Sequence, residues 1–502
     1  MKTSTLRKKT LPYFLIGILF FAYVCTRAAH VGITFDESST LGVFVPQSLA
    51  AIYSYFSIMA NNHWLNTLAI KSLYAFTGIE TILVARLPNL SAMLFFLYYL
   101  FRICNENLRQ FWGYFLYLII LLNPFLLDFF GLARGYGLAI AFMTGSLFHL
   151  INYTKEKKEK HALTALGLAV FSVLSNFTYL LFFGAVYLTI HLIIFSERKK
   201  RSKYFLLILN VFSLFTVLLV YYPLNKLRTE KALWYGGIDN FYTDTLYTLT
   251  DSSMGFSNNS TLVFVVLNSF LIMFFIAFIF SKLFNKKENH FSENPSTIIF
   301  SILLICIFSN ITLHFLFGFK YLIHRTALMY FPLFMMALVF LINDNKEKYS
   351  SLFLQISMTI LLIGSVINFQ NHYNYYTTIT WFYDAPVTKA LDYINEKGKA
   401  ENKIFILDST VLFKGSLQYY HWKRKYKHVV YIKEQPDNLD KSLADYFLYL
   451  EKPLSDLDYN PKEEQVAKYK RPRVLHFEKE GVVLLSNLRR TQRGSTSHSK
   501  NY

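Results

Sequence analysis

The chain has 502 residues, of which 53% are hydrophobic and 17% charged, yet its formal net charge is +19, from 51 Lys and Arg against 32 Asp and Glu. Soluble domains are about 25% charged, so this composition excludes an ordinary soluble enzyme and a disordered tail. It predicts a polytopic membrane protein whose charge sits in loops. Nucleic-acid binding is not indicated, because no basic helix or basic-aromatic groove motif occurs and the basic runs 155–160 and 198–203 lie between apolar segments. Cys25, Cys104 and Cys306 are far apart and in or beside apolar stretches, which argues against a disulfide framework or a cysteine zinc site.

A membrane helix needs about 20 apolar residues. The first such run, 11–29, follows Lys2, Arg7, Lys8 and Lys9 and is long for a cleaved signal peptide. Later spans are expected near 87–104, 111–130, 132–152, 162–178, 179–196, 204–222, 261–282, 297–317, 323–343 and 350–369. The total is about eleven. Only Ser175, Asn176 and Thr178 interrupt the stretch 162–196. With the N-terminus in the cytoplasm, the inner loops hold Arg102 and Arg109, then Lys155 to Lys160, Arg198 to Lys203, Lys282 to Lys287, and Lys346 with Lys348. This alternation follows the positive-inside rule. An odd number of spans leaves the charged tail outside.

That tail reads as a soluble extracytoplasmic α/β domain over 371–490. Strands are expected at 403–407, 428–432 and 446–450, a helix at 411–425 after a turn at Asp408-Ser409, and a hairpin at 473–477 and 481–485. Residues 491–502 read as a disordered end. Residues 1–370 form the membrane domain, with long outer loops at 30–86 and 223–260 and short ones around 130–134 and 318–325.

Polar residues collect in those outer loops. Asp36-Glu37 follow the first span. A carboxylate shielded there could take a proton from a hydroxyl, or the pair could cap a helix opening toward 41–59. Asn62-His63 precede an apolar stretch, where His63 could meet a phosphate or an acceptor or anchor the membrane interface. The stretches 41–59 and 64–79 look like helices lying in that interface. Arg86-Leu87-Pro88 opens the second span. Asp128 and Arg134 are six residues apart in the next outer loop, close enough to pair, followed by Gly135-Tyr136-Gly137. Lys320, His324 and Arg325 put three basic groups on the outer side, where an anionic ligand or lipid headgroups account for them better than topology does.

Asp36-Glu37, Asn62-His63, Arg86-Leu87-Pro88, Ala133-Arg134-Gly135-Tyr136, and Arg325-Thr326-Ala327-Leu328 ahead of Pro332 together resemble the GT-C membrane glycosyltransferases. The likeness is to the protein mannosyltransferase and aminoarabinose transferase-like group, glycosyltransferase family 39 and its bacterial relatives, over residues 10–370. The Pro that often follows the family's His is replaced by Trp64-Leu65. The resemblance implies an α-helical polytopic fold of GT-C type with an appended extracytoplasmic α/β domain. It also implies inverting transfer of a sugar from a polyprenyl-phosphate carrier to an acceptor hydroxyl on the outer face of a bacterial cytoplasmic membrane.

Carried to this sequence, the resemblance makes Asp36 the base, with Glu37 in support and Asp128 a further acid of the site. Arg325, with His324 or Lys320, would hold the donor phosphate, and Arg86 and Arg134 are further candidates. His63, Asn62 and Tyr136 would contact acceptor or sugar, and Trp64, Trp234 and Tyr235 offer stacking faces. No cofactor is required, although Asp36 and Glu37 could bind a divalent cation. Partners are the lipid-linked donor, a glycan, lipid or protein acceptor, and the bilayer. The competing expectations are a transporter or flippase for a lipid-linked sugar and a scaffold for envelope assembly.

Overall fold

The computed structural model describes residues 2–197, 202–255, 260–284, 294–344, 348–431, 444–451 and 472–487. The expected disordered end, 491–502, lies outside the described residues, as does most of the basic run 198–203. The chain divides into two compact units. The larger holds Met1–Ala29 and Phe44–Tyr373, and the smaller holds His30–Val43 and Asn374–Tyr502. A membrane domain over 1–370 was expected; the segment His30–Val43 groups instead with the tail.

In chain order the helices begin with α1 (Lys2–His30), α2 (Phe35–Ser39), α3 (Leu49–Tyr53), α4 (Trp64–Thr77), α5 (Ile82–Asn107), α6 (Gln110–Leu121) and α7 (Pro124–Asp128). They continue through α8 (Gly135–Glu156), α9 (Glu159–Ser175), α10 (Leu180–Glu197), α11 (Lys203–Thr229), α12 (Thr248–Met254) and α13 (Ser260–Phe284). Then come α14 (Pro295–Phe317), α15 (Tyr330–Asp344), α16 (Lys348–His372), α17 (Val387–Ala400) and α18 (Lys414–Arg424). The strands are β1 (Phe405–Ser409), β2 (Val429–Tyr431), β3 (Tyr446–Leu450), β4 (Arg473–Phe477) and β5 (Val482–Ser486).

Among the described residues, 8 helical stretches are long and apolar enough to cross a membrane. They are Thr10–His30, Ile82–Asn107, Phe177–Ser196, Lys203–Thr229, Ser260–Ile279, Pro295–Phe317, His324–Asp344 and Leu352–His372. Three of the expected spans are not in this set, each for a physical reason. The expected span 111–130 breaks after α6, because Asn123 accepts the Leu126 amide at 2.9 Å and Pro124 begins a new helix. Helix α9 has only 17 residues, and Asn176 ends it by capping the turn Phe177–Tyr179. Helix α8 is long enough but carries polar groups along its buried length.

Those groups bind α8 to its neighbour. Ser146 Oγ donates to the Ala165 carbonyl at 2.7 Å, and Ser172 Oγ donates to that of Ala139 at 2.8 Å. Small residues and hydroxyls at a helix contact are how apolar helices associate without a hydrophobic driving force from lipid. By contrast, α11 and α16 present exposed Leu207, Phe215, Leu218, Ile356 and Ile360 along one side.

The smaller unit is an α/β layer. Its sheet has the order β2-β1-β3-β5-β4, with β1 parallel to β2 and β3, and β5 antiparallel to β3 and β4. All five residues of β3 and of β5 are buried, as strands covered on both faces are. Helix α17 buries Val387, Ala390, Leu391 and Ile394, the spacing of one helical face. The hairpin closes through Gly481 at φ 63°. The expected strands and hairpin are found with shifts of one or two residues, and the expected helix 411–425 is a 3-10 turn, Val411–Phe413, running into α18.

Candidate functional site

The expected site residues fall into two sets, one in each unit. In the smaller unit, Thr34 caps α2. Its Oγ accepts the Glu37 amide at 3.3 Å, while Glu37 Oε2 accepts the Thr34 amide at 3.0 Å. In this reciprocal capping box Glu37, fully buried, completes the cap of α2, whose N-cap is Thr34; the pair does not cap a helix over 41–59. Asp36 sits one position earlier and is 6% exposed.

Three residues that sequence reasoning missed surround this segment. Asp384 Oδ2 accepts the Phe35 amide at 2.7 Å, and its Oδ1 accepts Ser416 Oγ at 2.8 Å. Tyr420 Oη accepts the Ile33 amide at 2.8 Å. Burial first, and the charges of Glu37 and Asp36 in addition, push the Asp384 carboxyl well above the usual carboxylate range, against the opposing effect of its two hydrogen bonds. Helix α18 approaches α2 closely: a Cβ at Gly415 would stand 2.1 Å from Ser38 Oγ, so a larger residue there would have to displace the Ser38 side chain.

The larger unit holds the basic set. His63 ends the loop before α4 and is 6% exposed. Its ring meets Tyr136 edge-on with centroids 5.2 Å apart, and Tyr136 in turn meets Phe129 at 4.8 Å. Burial, then the guanidinium charges of Arg134 and Arg325, hold the His63 imidazole well below its ordinary range, so it is neutral at physiological pH. A hydrogen bond to the Ser175 carbonyl occupies one side of the ring. Nε2 on the other side is buried and has no hydrogen-bond partner in the structure. Only glycine fits at 135, where a Cβ would stand 2.0 Å from the Ser175 carbonyl and 2.8 Å from His63 Cβ.

Arg134 is 1% exposed and donates to the Asn61 carbonyl at 3.2 Å. Two asparagines not anticipated from sequence hold its loop. Asn66 donates to the Ala133 carbonyl at 3.0 Å and accepts from Asn89 at 2.8 Å. Asn89 Oδ1 accepts the Leu138 amide at 3.1 Å. Arg325 lies in the turn His324–Ala327, donates to Tyr235 Oη at 3.0 Å, and stands over that ring at 4.3 Å. A bridge between Gly237 and Tyr321 joins the 223–260 loop to the segment just before this turn. His324 takes a left-handed backbone, φ 45°, with its amide donating to Thr248 Oγ at 2.9 Å and its Nδ1 2.9 Å from Ser252 Oγ. Non-glycine residues in that region are uncommon and concentrate at functional sites.

Other expected residues are engaged elsewhere. Asp128 forms a buried ion pair with Arg27 of α1, and Arg134 donates to the Asn61 carbonyl. Arg27 also donates to Tyr23 Oη at 3.0 Å. Arg86 is fully buried and donates to the Ala28 carbonyl at 2.9 Å. The Asn62 amide holds its own loop, donating to the Ile52 carbonyl at 3.0 Å and accepting from Thr67 Oγ at 3.3 Å. Lys320 is exposed and donates to the Trp234 carbonyl. Among the described residues, no group of three or more His, Cys, Asp or Glu is arranged to hold a metal ion. Cys25, Cys104 and Cys306 are free thiols.

A cavity of about 640 Å³ lies within the larger unit, walled by α13 and α16 with apolar side chains including Leu249, Phe270, Met335 and Ile360. Fold and sites together define a mostly helical protein with membrane-length apolar helices and a small C-terminal α/β sheet. The sequence matches no protein-family model and no curated protein.

Proposed function

We propose that the chain is a GT-C-type membrane glycosyltransferase that moves a sugar from a polyprenyl-phosphate carrier to an acceptor hydroxyl on the outer face of a bacterial cytoplasmic membrane. The observation that carries this is the basic set around His63. Two arginines bear on a neutral imidazole whose Nε2 has no protein partner. That combination suits an anion next to a hydroxyl, as in a glycosyl phosphate: guanidinium groups bind the phosphate and the imidazole lone pair accepts from a sugar hydroxyl. The apolar cavity of the same unit suits a polyprenyl chain.

In this mechanism the Asp36 carboxylate takes the proton of the acceptor hydroxyl. The acceptor oxygen attacks the anomeric carbon, the bond from that carbon to the phosphate oxygen breaks, and the electron pair leaves with the polyprenyl phosphate. Arg325 and Arg134 stabilise the added negative charge. A single displacement inverts the anomeric centre. Glu37 acts through its capping box by fixing the short helix that carries Asp36.

The test is reconstitution of the full chain in liposomes with a synthetic polyprenyl-phosphate sugar, followed by mass spectrometry of the products. Release of polyprenyl phosphate with a glycosylated acceptor is the expected result. Movement of the intact carrier across the bilayer without transfer would overturn it.

A further inference from the structure

Residues 30–43 follow the first membrane helix in sequence, yet they group with a domain that begins more than three hundred residues later. Specific hydrogen bonds hold the segment there. Asp384 accepts the backbone amide of Phe35, immediately before Asp36, at 2.7 Å. Tyr420 accepts the amide of Ile33 at 2.8 Å. Ser416 holds the other oxygen of Asp384 at 2.8 Å, so neither carboxylate oxygen is left to rotate. Gly415 lets α18 reach Ser38. The short helix α2 is therefore gripped before its first residue and along its side.

A five-residue helix has too few internal hydrogen bonds to persist by itself. Its capping box satisfies the Thr34 and Glu37 amides. The amides of Ile33 and Phe35 depend on the tail domain. Asp384 is 3% exposed, and a buried acid beside two others is unfavourable unless its hydrogen bonds compensate. From this we infer that the C-terminal α/β domain is the cradle of the Asp36 segment, and that Asp384 is a positioning residue setting where the Asp36 carboxylate stands. The domain thus holds the segment that carries the proposed base. The catalytic half of this inference rests on the proposed glycosyl transfer; the structural half does not.

The experiment uses the full chain in detergent, comparing wild type with Asp384→Ala, Asp384→Asn and Tyr420→Phe. Amide hydrogen exchange is read over residues 33–38 and, as a control for the domain, over β3 and β5. Transfer kinetics are read in parallel. Asp384→Ala is expected to speed exchange over 33–38 while β3 and β5 stay protected. It should also lower kcat by about tenfold to a hundredfold, because misplacing a catalytic group by about 1 Å has that effect. KM for the lipid donor should stay within about twofold, since no donor contact is removed.

Asp384→Asn, which can still accept from Phe35 and donate to Ser416, is expected to restore both measurements toward wild type. Should Asp384→Ala unfold the domain, with β3 and β5 losing protection, Tyr420→Phe decides the matter by removing the hydroxyl that holds the Ile33 amide. Unchanged exchange over 33–38 in whichever variant keeps β3 and β5 protected would overturn the inference. So would faster exchange with undiminished kcat. If wild type transfers no sugar but Asp384→Ala still loosens 33–38, the cradle stands and glycosyl transfer falls.

Discussion

The acid segment and the basic set are built in opposite ways. Asp36 rides on a five-residue helix whose main restraint, the box between Thr34 and Glu37, spans three residues of sequence. His63, Arg134 and Arg325 come from separate parts of the chain and are held by partners as distant as Ser175, Asn61 and Tyr235. The acid is therefore placed by local chemistry plus contacts from Asp384, Tyr420 and α18 of the same unit. The basic groups are placed by the packing of the whole helical unit. A change near Asp36 should act on catalysis with little effect on folding, while a change among the arginines should act on both.

Removing the carboxylate tests the first half of this contrast. Asp36→Asn is expected to lower transfer by about 1000-fold, the scale of a lost general base. Expression, membrane insertion and thermal unfolding should be unchanged, and a variant with full activity would remove Asp36 from the mechanism. The Arg27–Asp128 pair, 5% and 3% exposed, tests the second half. Arg27→Ala breaks this buried ion pair and should destabilise the protein by about 3–5 kcal/mol. Replacing both residues with Leu should recover most of that loss, as measured by thermal unfolding in detergent.

Arg325→Ala lies between these extremes. It removes a guanidinium from the basic set together with its contacts to Tyr235. Loss of one preorganised donor at a leaving group lowers turnover by about 100-fold. Arg325→Lys should recover only part of this, because an ammonium cannot form the two-pronged contact.

The mildest test is pH. His63 has its pKa depressed in the folded protein, so between that value and about 6.5 the unfolded chain binds a proton that the folded chain refuses. Stability contributed by His63 is full above about pH 6.5 and is lost as pH falls through the window below it. On going from pH 7 to pH 5 the melting temperature of wild type should change less favourably than that of His63→Asn, the difference being the His63 contribution, whereas the raised Asp384 carboxyl acts in the opposite direction in both proteins.

How much of this could be read in the residues differs by element. Most of the expected spans correspond to helices because hydropathy over about 20 residues is a property of the local sequence. The span expected at 111–130 fails where Asn123-Pro124 supplies a cap and a helix start inside an apolar run. The sheet of the tail was visible in its apolar runs, but its order was not, since strand pairing depends on non-local contacts. Asp36 stood out as an acid at the end of an apolar helix. Asp384 did not, lying in a short turn, Phe382–Asp384, with no motif around it. Asn66 and Asn89 were hidden for the same reason, since an asparagine signals its partner only once two helices have packed.

Composition and hydropathy were enough to bring out a mostly helical chain with membrane-length apolar helices and a charged α/β tail, because hydropathy belongs to each segment independently of the others. They were also enough to bring forward Asp36, His63, Arg134 and Arg325, because polar groups in an apolar chain are conspicuous. Which acid pairs with which base was settled only in three dimensions. Asp128 meets Arg27 across 101 residues of chain, and the Phe35 amide meets Asp384 across 349. Such pairings depend on where folded helices and strands come to rest, and no local pattern of residues encodes that distance.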